Sequence, residues 1–219
     1  MVMVPKVEMD GAVKKILVLA PHTDDGELGC GGTMARLHDE GAHVTYVAFS
    51  ACEESMPPGF PPDTLRKEVV LATTELGVAR ENLIVKDYKV RKLSSRRQDI
   101  LEELVLLRNS LKPDMIFMPC QSALHQDHAA IYNEGIRAFK HYTCFGYDLP
   151  WDSIQFSSTA FFKLNESQVE RKCKALEHYK SQKFRTYVDN EFIRGLARVR
   201  GAQIGVQYAE AFELIRTIF

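Results

Sequence analysis

No stretch of this sequence approaches the roughly 20 consecutive apolar residues that span a bilayer. The most apolar early run, Ile16 to Ala20, is five residues long. Cysteine is sparse: Cys30, Cys52, Cys120, Cys144 and Cys173 are odd in number, and no two form a C-x-x-C pair. That pattern argues against a disulfide framework and against a cysteine-rich zinc site. An excess of one charge is also missing. Lys and Arg total 28 against 29 Asp and Glu, for a net charge of -1. A protein that grips nucleic-acid backbone is usually basic, so no nucleic-acid partner is expected. The opening residues, MVMVPKVEMDGAVKK, contain no run long enough for a signal peptide, and with reduced thiols this leads us to expect a cytoplasmic protein. Internal repeats and low-complexity tracts are absent.

What is present is an ordinary globular composition, 45% hydrophobic and 26% charged over 219 residues. That length suits a single domain over 1–219, with the C-terminal third (about 145–219) elaborating the substrate site or an oligomer contact. Strand-like and helix-like patterns alternate. Strands are expected at 14–21, 43–50, 82–90, 113–119 and 156–164, and helices at 28–40, 64–77, 96–111, 167–182 and 189–201. A loop running into a helix is expected over 125–141, and a last apolar stretch runs from Phe212 to Phe219. Such alternation predicts an α/β fold, a Rossmann-like and mostly parallel sheet with helices on both faces. In the strand order 3-2-1-4, the chain winds away from the first and fourth strands in opposite directions. A crevice then opens at their carboxyl ends. Reactive residues should therefore gather in the loops after Ala20 and after Pro119.

Those two loops read PHTDDGE (Pro21 to Glu27) and HQDH (His125 to His128). His22, Asp24, Asp25, His125, Asp127 and His128 would then converge on one crevice. Adjacent carboxylates repel unless a positive charge sits beside them, and a divalent ion supplies it. Three protein ligands plus water is the pattern of a catalytic zinc site. Mixed N/O ligands also admit Fe²⁺ or another divalent metal. Spacing leaves four candidates for the three ligands: His22, Asp25, His125 and His128. Asp24 is then free to act as a base on a metal-activated water. His125 can donate to a developing oxyanion, and Asp127 can orient a neighbouring imidazole.

PHTDDGELGCGGT followed about a hundred residues later by HQDH resembles the LmbE/PIG-L family of zinc-dependent de-N-acetylases. Their usual motifs are A/P-H-P-D-D and H-P-D-H. The likeness extends over most of the chain, through LRKEVVLATTELG, YDLPW and RGAQIG…YAEAFE. The resemblance implies a Rossmann-like fold and removal of acetyl from N-acetylated sugars or sugar conjugates of the N-acetylglucosamine type. It implies His22, Asp25 and His128 as metal ligands and Asp24 as general base. It implies His125 as the histidine that stabilises the oxyanion or protonates the leaving amine, with Asp127 as its supporting carboxylate. Arg66 would bind substrate hydroxyls. Thr23 and Gln126 stand where the family usually has proline, and neither change removes a ligand.

A rival reading takes ELGCGGTMARL as the glycine-rich motif of an S-adenosylmethionine-dependent methyltransferase. Thr33 occupies its third glycine position, and PHTDD separates it from the strand. A hydrolase of another amide or ester on the same residues is a further alternative. Two basic stretches remain. Lys86, Lys89, Arg91, Lys92, Arg96 and Arg97 read as a solvated face. Arg194, Arg198 and Arg200 are candidates for the phosphate of a nucleotide- or lipid-linked sugar, or for a homo-oligomer contact. Tyr147 and Trp151 are candidates for stacking on a sugar ring, with core packing as the other use of such aromatics.

Overall fold

The computed structural model describes residues 14–218. Residues 1–13 of the N-terminal stretch read above for a leader, and Phe219, lie outside them. Strands β1 (Lys15–His22), β2 (His43–Ser50), β3 (Leu83–Val85), β4 (Met115–Pro119), β5 (Thr143–Tyr147), β6 (Ala160–Leu164) and β7 (Tyr208–Arg216) form one sheet in the order β3-β2-β1-β4-β5-β7-β6. The first five are parallel. β7 runs antiparallel to both β5 and β6. The helices are α1 (Asp25–Asp39), α2 (Thr64–Glu75), α3 (Arg97–Leu111), α4 (Gln126–Ala138), α5 (Glu166–Glu177) and α6 (Asn190–Gln203). The expected α/β architecture, including the 3-2-1-4 order, is the observed one.

β1 shows why the fold takes this form. Its residues beyond Lys15 are all buried, because helices cover both sheet faces. Ile16, Val18 and Ala20 pack with α1, α2, α5 and α6, while Leu17 and Leu19 pack with α3 and α4. Several boundaries differ from the sequence pattern. The third strand is confined to Leu83–Val85, since the chain beyond it turns away to close over the site. β5 (TCFGY) carries no pattern of its own, yet it pairs on both edges. The final strand starts at Tyr208, four residues before the apolar stretch, because its buried Glu210 reads as polar.

α1 begins at Asp25 and absorbs the whole glycine-rich motif. It kinks at Cys30, whose φ and ψ are -142° and 20°. A kink frees backbone groups, which need other partners when buried. Lys172 Nζ donates to Leu28 O at 2.7 Å. Glu210 accepts from Gly32 N at 3.0 Å and Thr33 N at 2.6 Å, and pairs with Lys172 Nζ at 2.6 Å. A Cβ at Gly26 would overlap the Tyr46 ring, one at Gly29 the Tyr147 ring, and one at Gly32 the Leu164 side chain. These glycines therefore serve close helix packing and leave no open loop for a methyltransferase cofactor. Tyr147 is a core residue: its hydroxyl donates to Leu19 O at 3.0 Å.

Candidate active site

β1 and β4 are adjacent and parallel, and β2 and β5 flank them on opposite sides. The switch point falls between them, where a crevice is expected at the carboxyl ends. His22 ends β1, Asp24 precedes α1, and Asp25 opens it. His125 caps α4, and Asp127 and His128 lie in its first turn. All but Asp127 line one cavity of about 320 Å³.

At its floor three donor atoms face one another. Asp25 Oδ2 lies 3.1 Å from His22 Nδ1 and 3.2 Å from His128 Nε2, and the two nitrogens are 3.4 Å apart. Ligands at 2.0–2.1 Å around a tetrahedral ion sit about 3.3 Å from each other. The triangle thus has the size a small divalent cation requires. His22, His125 and His128 form a looser set, with donor atoms within 4.8 Å of one another. The triangle with Asp25 is the tighter fit and supplies the negative charge a cation needs.

The outer nitrogen of each triangle histidine meets a carboxylate. His22 Nε2 is 3.0 Å from Asp127 Oδ2, and His128 Nδ1 is 2.7 Å from Asp152 Oδ2. Such carboxylates fix ring orientation and raise ligand basicity in metal sites. Asp127 is itself held by Arg91 N at 2.6 Å and Leu93 N at 3.1 Å. Asp127 therefore supports His22 through its side chain. Its link to His125 is the backbone N–H, which donates to His125 Nδ1 at 3.1 Å. Asp152, between β5 and β6, was not singled out in the sequence; it also accepts from His125 N at 2.9 Å. Its only sequence signal is the YDLPWD stretch.

Burial alone would lower both triangle histidines, but the facing carboxylates outweigh it. Asp25 and Asp127 raise His22 to about 9, and Asp25 and Asp152 raise His128 to about 10. Burial would raise Asp25, yet His128 and His22 hold it well below the ordinary range. A cation would replace those protons. Asp24 is pushed up to about 6 by burial and by Asp25, with Arg185 and His22 opposing. His125 is lowered by burial and by its histidine neighbours, which keeps the ring neutral.

Beneath the loop lies buried Glu27. Its carboxyl contacts the Tyr46 hydroxyl and, at 2.6 Å, the Tyr179 hydroxyl. Thr23 O accepts from the same two hydroxyls, at 3.0 and 2.5 Å. Burial raises Glu27 to about 8, so the carboxyl carries a proton near neutral pH and donates to one hydroxyl, while the other contact shares its tyrosine proton with Thr23 O. This cluster anchors the carbonyl beside Asp24.

The structure does not bring Arg66 into the cavity. Its guanidinium is tied to Glu53 at 2.6 Å and to Asp87, beside the site. Arg91 and Arg185 line the cavity instead. Trp151 does too, stacked on Tyr187 with ring centroids 3.7 Å apart and 8° between planes.

Comparison with known proteins gives a consistent picture. The family model described as PIG-L, GlcNAc-PI de-N-acetylase, matches residues 17–139. An Escherichia coli protein named as the uncharacterized deacetylase YaiS is 26% identical over 177 residues, covering 77% of this chain and 91% of its own. The conserved protein TT1542 of Thermus thermophilus superposes with a TM-score of 0.79 at 26% identity, over 93% of this chain and 95% of its own. N,N'-diacetylchitobiose deacetylase of Pyrococcus horikoshii gives 0.75 at 23% identity, over 91% and 83%. The 4-carboxy-2-hydroxymuconate hydratase GalB of Pseudomonas putida gives 0.77 at 17% identity, over 94% and 98%. The last two show a shared fold, and GalB makes plain that the fold alone does not set the reaction.

Proposed function

This chain belongs to the PIG-L family of GlcNAc-PI de-N-acetylases, and we propose that it is a divalent-metal-dependent hydrolase that removes acetyl from an N-acetylated sugar or sugar conjugate of the N-acetylglucosamine type. The observation that carries this reading is the His22–Asp25–His128 triangle with a spare carboxylate, Asp24, beside it.

His22, through Nδ1, Asp25, through Oδ2, and His128, through Nε2, would hold the ion, with zinc the favoured metal and Fe²⁺ the alternative. Bound there, it would acidify a water and polarise the acetamide carbonyl. The remaining steps fall to the chain's own groups. Asp24, partly buried and shifted toward neutrality, takes the proton of the attacking water. His125 accepts a backbone N–H at Nδ1, so its neutral ring carries its proton on Nε2. That nitrogen donates to the oxyanion as the carbonyl becomes tetrahedral. Asp24, now protonated, returns its proton to the nitrogen as the C–N bond breaks, and acetate and a free amine leave. Asp127 and Asp152 keep the two histidine ligands turned inward. Arg66 braces the loop at Glu53 against Asp87, which shapes the wall through neighbouring Cys52 and Ser55.

The test combines elemental analysis of the purified protein with amine release from N-acetylglucosamine derivatives. About one divalent ion per chain, and amine release abolished by a chelator and restored by zinc or iron, is the expected result. A metal-free protein that hydrolyses acetamides equally well would overturn the metal assignment. A metal-loaded protein inert toward every N-acetyl sugar would overturn the substrate class.

A further inference from the structure

The segment 179–182, just after α5, reaches the cavity wall at one residue and is pinned behind it at two others. The Tyr179 hydroxyl meets Thr23 O at 2.5 Å, next to Asp24. Ser181 is held by Glu68 of α2: its N–H donates to Oε1 at 3.0 Å and its hydroxyl to Oε2 at 2.6 Å. Gln182 lines the cavity, and its Nε2 lies 3.1 Å from Ser181 Oγ. Ser181, Gln182 and Glu68 are all buried. Glu68 itself does not line the cavity.

Counting hydrogens fixes what Gln182 offers. A carboxylate has only acceptors, and a serine hydroxyl has one hydrogen. Ser181 occupies both Glu68 oxygens, so that hydrogen is spent on Oε2. Ser181 Oγ can then only accept from Gln182, and the end of the amide beside it has to be the NH2. The other end, Oε1, receives no hydrogen bond among the described residues and is not sealed from solvent. On a residue 4% exposed that lines the cavity, this opening is the cavity itself. Asp25 and Asp152 spend their oxygens there on histidines. Gln182 Oε1 is a neutral acceptor held in one orientation and lacking a donor.

We propose that Gln182 reads a sugar hydroxyl with its side-chain carbonyl, and that Glu68, separated from the cavity by Ser181, is the positioning residue that dictates which end of the amide faces the substrate. This rests on the deacetylase reading and adds how the sugar is recognised. A site built to accept a hydroxyl discriminates against the analogue that lacks it, because its own acceptor is then left unpaired. Glu68→Gln keeps the shape but changes the logic. Its amide can donate to Ser181 Oγ, which frees the serine hydrogen for Gln182 and lets that amide turn its NH2 to the cavity.

The experiment compares the methyl glycoside of N-acetylglucosamine with its 3-deoxy, 4-deoxy and 6-deoxy analogues on the metal-loaded full chain. At least one deoxy sugar should lose roughly 10- to 100-fold in kcat/KM, chiefly through KM. Gln182→Leu should shrink that gap to about twofold or less by lowering the parent sugar. Glu68→Gln and Ser181→Ala should shrink it too, with metal content and unfolding midpoint near wild type for Glu68→Gln. A wild type indifferent to every hydroxyl, or a gap that Gln182→Leu leaves intact, overturns the hydroxyl contact. A gap that both Glu68→Gln and Ser181→Ala leave intact overturns the positioning role. Calorimetry of the same four sugars needs no turnover, so it separates this from failure of the deacetylase reading. Weaker binding of one deoxy sugar, a difference that Gln182→Leu removes, supports the contact even if no amine is released. Equal binding of all four overturns it.

Discussion

Two buried charge clusters in this molecule follow opposite rules. The Lys172–Glu210 pair is closed. One ammonium meets one carboxylate, and both also satisfy the backbone groups freed by the kink in α1. The cluster around His22 and His128 is open. Each of these imidazoles has a carboxylate at both nitrogens, so the cluster carries more negative charge than neutral rings can balance. The first cluster needs nothing from outside and reads as structure. The second is complete only with added positive charge, as protons or as a metal ion, and reads as a site. Burial is common to both; the surplus of acceptors aimed at one point tells them apart.

The sharpest way to divide the clusters is to remove chemistry from one without touching stability. Asp24→Asn should lower kcat by about 10²- to 10⁴-fold, while metal content and unfolding midpoint stay near wild type. Near-normal turnover would remove Asp24 as the base. The reverse case is Lys172→Met, which leaves Glu210 buried without its partner. It should destabilise the fold by about 3–5 kcal/mol in urea unfolding. A loss well under 1 kcal/mol would show that the closed cluster is solvated after all. Asp152→Asn blurs the line, since it acts on a ligand from outside the triangle. Metal affinity should fall roughly 10- to 100-fold in chelator competition, with the protein still folded. Unchanged affinity would leave Asp152 as a loop anchor only. Gly29→Ala acts on packing alone: it forces a methyl into the Tyr147 ring and should cost about 1–3 kcal/mol of stability with metal content unchanged. A neutral result would mean that the seam along α1 yields more easily than its packing implies.

The two motif loops were legible because short reactive strings followed buried strands, and the fold rule for parallel sheets placed those loops together. The Asp25 triangle was legible only through the family resemblance, since spacing alone left His125 an equal candidate. In the structure His125 Nδ1 accepts a backbone N–H, while Asp25 Oδ2 faces both His22 and His128. Asp152 could not be read, because its link to His128 crosses a loop and depends on β5, a strand hidden by its brevity and its glycine. A Cβ at Gly146 would crowd the Cys120 backbone. The glycines of ELGCGG looked like a cofactor loop because a sequence cannot show which side chains press against a missing Cβ. Arg66 sat in a recognisable stretch, but its acidic partners Glu53 and Asp87 lie 13 and 21 residues away in the chain.

The sheet order carries a consequence for how this protein comes into being on the ribosome. β7, the last strand among the described residues, lies between β5 and β6, which precede it in the chain. Until its residues leave the exit tunnel, β6 has no neighbour and β5 has an open edge. Glu210 arrives on that same strand, so the kinked helix behind the His22–Asp25–His128 triangle also waits for it. His22, Asp25 and His128 all precede that strand in the chain. Domains tend to fold as units during synthesis, and here the unit closes with its final strand. A chain stalled before Tyr208 would thus display the two motif loops on an unfinished sheet.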